Sequence, residues 1–223
     1  MKLLRTTKVF LTLVAATALA VILATRSGPA FAATAKDSKG KATMTKPTSS
    51  LPPTDFAAEA HPGREIAVLA GGCFWGMEGI IRDIPGVVDT QVGYTGGNVS
   101  KPTYPDVKTG STGHAEAIQI IFDPKKLSFE DLLSWFFRMH DPTTMNRQGN
   151  DRGTQYRSGI FIYNDAQKAS ATKIKDKVDK SGKWKAPAVT EITQAGPFWR
   201  AEEYHQHYLQ KNPGGYTCHF LRD

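Results

Sequence analysis

A chain of 223 residues with two cysteines and a formal charge of +7 looks basic enough to court nucleic acid. The charge is unevenly placed. Residues 1–32 hold four of the 28 Lys and Arg and no acid, and residues 33–60 hold four more cations against three acids, so the rest of the chain is near +2. That balance, with no lysine run interleaved with aromatics, argues against nucleic acid as a partner.

The chain opens "MKLLRTTK", three cations and no anion, followed by the apolar run "VFLTLVAATALAVILA" and then "TRSGPAFA". This is the order of a secretory signal over residues 1–32, with Ala30 and Ala32 at the −3 and −1 positions of the cleavage site. The apolar run is shorter than the ~20 residues a span needs and is broken by Thr12 and Thr17; an uncleaved membrane anchor is the alternative. The expectation is an exported protein, periplasmic or otherwise extracytoplasmic. Residues 33–60 are rich in Ala, Thr, Ser, Lys and Pro and carry one large aromatic, Phe56. Such a stretch lacks the apolar surface to offset its ordering entropy and reads as a flexible linker. Residues 61–223 then form one domain of ordinary size.

Within it, "REIAVLAGG" (64–72) predicts a buried strand ending in a Gly-Gly turn, and "FWGMEGIIRDIPG" (74–86) a short helix stopped by Pro85-Gly86. "GVVDTQVGYTGG" (86–97) reads as a strand, and "NVSKPTYPDVKTGSTG" as a long polar loop. In "HAEAIQIIFD" (114–123), alternation puts His114, Glu116, Ile118, Ile120 and Phe122 on one face and Ala115, Ala117 and Gln119 on the other. "SFEDLLSWFFRMH" (128–140) predicts a helix entered through Ser128 and Asp131, with Phe129, Leu132, Leu133 and Phe136 at helical spacing. "SGIFIYN" predicts a strand, "DAQKASATKIKDKVDKSG" a polar surface helix, "VTEITQA" a strand and "RAEEYHQHYLQKN" a closing helix, with residues 213–223 as a tail. The order β-α-β-β-α-β makes the expected class α+β, a ferredoxin-like βαββαβ two-layer core with a C-terminal extension. That fold hosts many chemistries and names none.

Three places could carry chemistry. Cys73 stands in "AGGCFWGMEG" where a strand hands over to a helix, and a thiol at a helix N-terminus is drawn toward thiolate. Two cysteines in an exported chain also suit a structural staple between Cys73 and Cys218. Against the staple, Cys218 lies in a tail after Gly-Gly, where a resolving thiol could swing in and out. Phe74 and Trp75 are adjacent and cannot bury in one face of a helix, so one or both could wall a pocket beside the thiol. Glu116 lies on an apolar strand face. Buried there without a cation it would be a protonated acid near neutral pH; the alternatives are escape to solvent or pairing with an arginine. The loop "QGNDRGTQYRSG" gathers Asp151, Arg152, Tyr156 and Arg157, and by itself reads as polar surface. The pair in "HQH" (205–207) cannot share a helix face, so no metal site is expected there.

Together "GGCFWGMEG", "VGYTGG", "PTYPDV", "TGHAEAIQIIFDP", "HDPTTMNRQGNDRGTQYRSGIF" and "GYTCH" resemble the A-type peptide methionine sulfoxide reductases, collinearly over roughly residues 64–220. The resemblance implies reduction of the S-epimer of methionine sulfoxide, free or protein-bound, and hence protein repair. Cys73 matches the family nucleophile, Glu116 the acid that protonates the sulfoxide oxygen, and Tyr104 and Tyr156 the hydrogen-bond donors to that oxygen. Asp151 matches the residue orienting substrate and water, and Phe74 with Trp75 the pocket for the substrate methyl group. Cys218 matches the resolving cysteine, which closes a Cys73–Cys218 disulfide. The resemblance further implies no bound cofactor or metal, a thioredoxin-like dithiol as donor and a monomeric enzyme. With no third cysteine in the sequence, that donor would reduce the Cys73–Cys218 bond directly. Two rivals remain open: a secreted binding domain stapled by its cysteines, and a thiol peroxidase.

Overall fold

A computed structural model describes residues 62–223; the expected signal and linker lie outside the described residues. Strand β1 (Glu65–Gly71) is buried from Ala67 onward. The reason for its continuous apolar reading is its central place in the sheet: it pairs antiparallel with β3 (Ala115–Phe122) on one side and β6 (Ser158–Ile162) on the other. Both of its faces are covered, so no polar alternation is needed. The six-stranded sheet runs β7-β6-β1-β3-β2-β8, where β2 is Val87–Thr95, β7 is Glu191–Gln194 and β8 is Trp199–Arg200. The β6–β7 pair is parallel and the other pairs are antiparallel, which makes the sheet mixed.

The alternation expected of β3 sorts its residues as the sequence suggested. Ile118, Ile120 and Phe122 join the main core with Ala67 and Leu69 of β1, beneath helices α1 (Phe74–Ile81) and α3 (Phe129–Met139). Ala115 and Ala117 face the opposite side with Val68, Ala70 and Phe161. Helix α3 contributes Leu132, Leu133 and Phe136, all fully buried, and starts at Ser128, whose hydroxyl oxygen accepts from the Asp131 N–H at 3.1 Å. Helix α4 (Asp165–Lys180) is capped by Asn164 and buries only a narrow stripe, including Ala171 and Ile174.

Two expectations change. The loop after β2 contains a one-turn helix, α2 (Tyr104–Lys108), opened by a Thr103–Asp106 capping box with a proline in its first turn. Its length hides it, because five residues show no apolar period. The closing helix shrinks to a single turn, α5 (Tyr208–Lys211), since the preceding residues are held by partners elsewhere in the fold. The Glu202 carboxylate accepts from the Tyr94 hydroxyl (2.9 Å) and the Tyr104 N–H (2.8 Å). The Gln206 amide both accepts from the Val92 N–H (3.0 Å) and donates to the Val92 carbonyl (2.9 Å), standing in for a strand at the edge of β2. His207, at φ 55°, then sits in a left-handed conformation that no helix interior accepts.

Candidate active site

Cys73 occupies the N-cap of α1, reached from β1 through Gly71 and Gly72. Gly72 has φ 113°, and a Cβ there would come within 2.7 Å of the Gln148 side chain, so this position requires glycine on both counts. Glu116 is delivered by β3 to the underside of the same turn. It is 2% exposed, and its Oε2 accepts from the Phe74 N–H at 3.2 Å. The first backbone donor of α1 thus meets the carboxyl group beside the thiol.

A cavity of about 180 Å³ opens at this junction, lined by Cys73, Phe74, Trp75, Tyr104, Glu116, Asp151, Tyr156 and Tyr216. Seven of the eight residues singled out in the sequence therefore meet in one place. Tyr104 arrives on α2, and Tyr156 on the 3₁₀ turn Thr154–Tyr156. Asp151 arrives on a small hairpin of β4 (Arg147–Gln148) and β5 (Asp151–Arg152), so the loop read as polar surface is folded inward. Asp151 Oδ1 accepts from the Tyr216 hydroxyl at 3.0 Å, while its buried Oδ2 has no hydrogen-bond partner among the described residues. A buried orphan acceptor at a cavity wall is suited to a bound polar group or water.

The two adjacent rings divide their work. Phe74 is fully buried with Val92, Tyr94, Val107 and Ala201. Trp75 is half-buried, stacked on Tyr208 with centroids 3.8 Å apart, and its Nε1–H donates to His205 Nδ1 at 2.9 Å. His205 also packs against Tyr104 at 4.6 Å between centroids. Tyr216 lines the cavity, and Glu202 and His205 brace Tyr104 and Trp75 behind it; the sequence assigned none of the three. Tyr216 was within reach, two positions before Cys218; Glu202 and His205 were hidden in a stretch read as ordinary helix.

Burial raises the Glu116 carboxyl to about 8, the Phe74 N–H pulling the other way and the Asp151 charge adding to the rise. The group is an acid at neutral pH, as its strand position suggested. The Cys73 thiol is corrected. The Trp75 N–H at the helix start does favour thiolate, but burial first and Glu116 second push the pKa well above the usual thiol range. Desolvation outweighs the helix terminus because this thiol is only 7% exposed. Burial also lifts the Tyr104 hydroxyl to about 12 and the Tyr156 hydroxyl further, so both remain donors.

Cys218 stands just outside the cavity lining, and both cysteines are free thiols. Burial first and the Asp151 carboxylate second push the Cys218 thiol up to about 12, with the Cys73 N–H acting the other way. The expectation of a loosely swinging tail gives way to a docked one. On one side of Cys218 Tyr216 is tied to Asp151; on the other, Arg222 N–H donates to the Arg138 carbonyl at 2.9 Å and Arg138 Nε–H to the Arg222 carbonyl at 2.8 Å. Among the described residues no cluster of His, Cys, Asp and Glu is arranged to hold a metal ion.

A family model described as peptide methionine sulfoxide reductase matches residues 65–222. A peptide methionine sulfoxide reductase MsrA from Mycobacterium ulcerans (strain Agy99) is 56% identical over 156 residues, covering 70% of this chain and 89% of the relative. One from Mesorhizobium japonicum is 56% identical over 158 residues, 71% of this chain and 90% of its own. The crystal structure of Mxr1 from Saccharomyces cerevisiae in reduced form superposes with a TM-score of 0.69 at 43% identity, over 72% of this chain and 93% of that one. Mxr1 in complex with Trx2 superposes with a TM-score of 0.50 at 28% identity, over 72% and 91% of the two chains. A cavity that sets a buried cysteine beside a protonated carboxyl thus lies within a chain that matches one family almost from the first described strand to the tail. The chain belongs to the A-type peptide methionine sulfoxide reductases and is an oxidoreductase acting on methionine sulfoxide.

Proposed function

We propose that the Cys73 cavity reduces the S-epimer of methionine sulfoxide, free and in proteins, through a sulfenic acid and then a Cys73–Cys218 disulfide. Sulfoxide oxygen leaves only once protonated, and Glu116 is a buried, neutral carboxylic acid at the cavity wall. The Glu116 proton goes to the oxygen and the Cys73 sulfur attacks the sulfoxide sulfur. The oxygen ends on Cys73 as S–OH, the thiol proton restores Glu116, and methionine leaves. Tyr104 and Tyr156 donate to the oxygen as it gains charge, Asp151 orients substrate and water, and Phe74 with Trp75 holds the methyl group. Cys218 then attacks the sulfenic sulfur, forming the disulfide and expelling water before further oxidation of Cys73.

A thioredoxin-like dithiol reopens that disulfide; the Mxr1 complex with Trx2 supports this class of donor. In this reading the chemistry uses side chains of one chain with no bound cofactor or metal, and the enzyme acts as a monomer. Residues 1–32 direct export, 33–60 form a linker and 61–223 the catalytic domain, serving protein repair outside the cytoplasm. The strand order β6-β1-β3-β2, with α1 following β1 and α3 following β3, supports the ferredoxin-like description of the core.

The observation that carries this reading is the Glu116 carboxyl bonded to the Phe74 N–H at 3.2 Å, one residue from the thiol. A coupled assay with thioredoxin, offering each epimer of methionine sulfoxide and hydrogen peroxide separately, tests it. Turnover with the S-epimer alone is expected. Turnover with peroxide in preference to both epimers would make the protein a thiol peroxidase, and no turnover at all would leave a binding domain.

A further inference from the structure

The tail holds a buried imidazole that the reaction above leaves unused. His219 Nε2 lies 2.8 Å from the Gly71 carbonyl oxygen; a carbonyl only accepts, so Nε2 carries the hydrogen. The lone pair of the neutral ring is then on Nδ1, and Nδ1 lies 3.4 Å from Cys218 Sγ. Burial holds this imidazole down at about 4, so at neutral pH the ring is uncharged and the lone pair is free. The position is built into the fold. The His219 N–H is bonded to Thr217 Oγ1 at 3.1 Å, and a Cβ at Gly76 would come within 2.7 Å of Nδ1. The third glycine of the "GGCFWG" stretch is thereby the space into which the histidine fits.

Cys218 needs such a partner. With its thiol pushed up to about 12, little of it is thiolate at neutral pH, and the thiolate is the attacking species. We propose that His219 Nδ1 is the base that takes the thiol proton of Cys218 as its sulfur attacks the sulfenic acid on Cys73. This rests on the reading of Cys218 as the resolving cysteine. The Cys218–Cys73 sulfur bond forms as the Cys73 S–O bond breaks. The Cys218 proton passes to Nδ1, and the departing hydroxide takes the Glu116 proton and leaves as water. The imidazolium then gives its proton to solvent and Glu116 regains one. The Asp151 carboxylate acts on His219 in the direction that favours the charged ring, and Arg222 acts against it.

Rapid mixing of the full chain with one equivalent of sulfoxide, without donor, resolves the two steps as methionine release and as loss of free thiol. His219→Gln keeps an N–H for the Gly71 carbonyl but has no base at the Nδ1 position; His219→Asn loses the Gly71 contact. Both variants are expected to release methionine and then form the disulfide ~10²-fold or more slowly than wild type. Their disulfide rate should rise about tenfold per pH unit between 6 and 8, where Glu116 still holds its proton and the wild-type rate is flat. A wild-type disulfide rate in His219→Gln overturns the proposal and moves the proton to Asp151. Slowing in His219→Asn alone, or loss of the first methionine in both, overturns it by making His219 a structural clamp. Absence of the Cys73–Cys218 disulfide in wild type itself would instead reject the resolving role of Cys218.

Discussion

Glu116 suits acid chemistry because β3 places its carboxyl, buried, against the Phe74 N–H and at the wall of the cavity. Glu116→Gln fills the same space without a transferable proton. The expected outcome is a folded protein whose single-turnover reduction is slower by ~10²–10⁴-fold, and rates within a few-fold of wild type would remove Glu116 from the mechanism. The pH dependence follows from the same group. The acid form reacts, so the reductase step should be level below pH 8 and fall above it, with Glu116 titrating at about 8. A rate that climbs through pH 9 would mean that thiolate formation on Cys73 is limiting instead. Stability is linked to this proton. The folded state keeps it between about 4.5 and 8 while the unfolded chain releases it, so stability falls as pH rises through that window. At ~1.4 kcal/mol per pKa unit the effect is at most on the order of 5 kcal/mol, and chemical denaturation of Glu116→Gln should show a flatter pH profile than wild type.

At the scale of elements, the strands and the longer helices were legible because their periods are. β3 alternates, and α3 repeats Leu132, Leu133 and Phe136 at helical spacing above Ile118, Ile120 and Phe122. Truncating Leu132 to Ala should cost ~2–5 kcal/mol in equilibrium unfolding and leave turnover per folded molecule intact; a loss under 1 kcal/mol would mean the core closes over the gap. The illegible parts are those fixed by distant partners. Nothing local in "RAEEYHQHYLQKN" reveals that Gln206 completes the edge of β2, or that Glu202 holds the Tyr104 backbone. The inward hairpin carrying Asp151 was equally hidden, since Asp151 faces a cavity that only the whole fold creates. The thiol of Cys73 misled for a related reason: its helix terminus is visible in sequence, whereas its burial is not. Helix α1 offers a test of how closely the tail is fitted. Alanine suits a helix better than glycine, yet a Cβ at Gly76 would lie 2.2 Å from Thr217 Oγ1. Gly76→Ala should therefore lift the tail, so that the first methionine is released while the disulfide forms slowly or not at all. Normal disulfide formation in that variant would show that the tail adjusts freely.

For the whole molecule, every residue in the proposed mechanism lies beyond position 61, and the described lining of the Cys73 cavity falls within residues 62–223. A chain trimmed to begin at His61 should retain full activity, and the exported protein should begin near Ala33. N-terminal sequencing from the host checks the second point, and finding Met1 in the membrane fraction would mean an anchored enzyme. The central claim is that two cysteines far apart in sequence act in succession at one cavity. Intact-mass and thiol analysis after one equivalent of the S-epimer tests it most directly, comparing wild type with Cys218→Ser. Wild type should release about one methionine and lose both thiols to a Cys73–Cys218 disulfide. Cys218→Ser should release about one methionine, hold a sulfenic acid on Cys73 and fail to recycle with thioredoxin. A Cys218→Ser protein that cycles at the wild-type rate, or a wild-type protein that releases methionine with both thiols intact, would contradict the account.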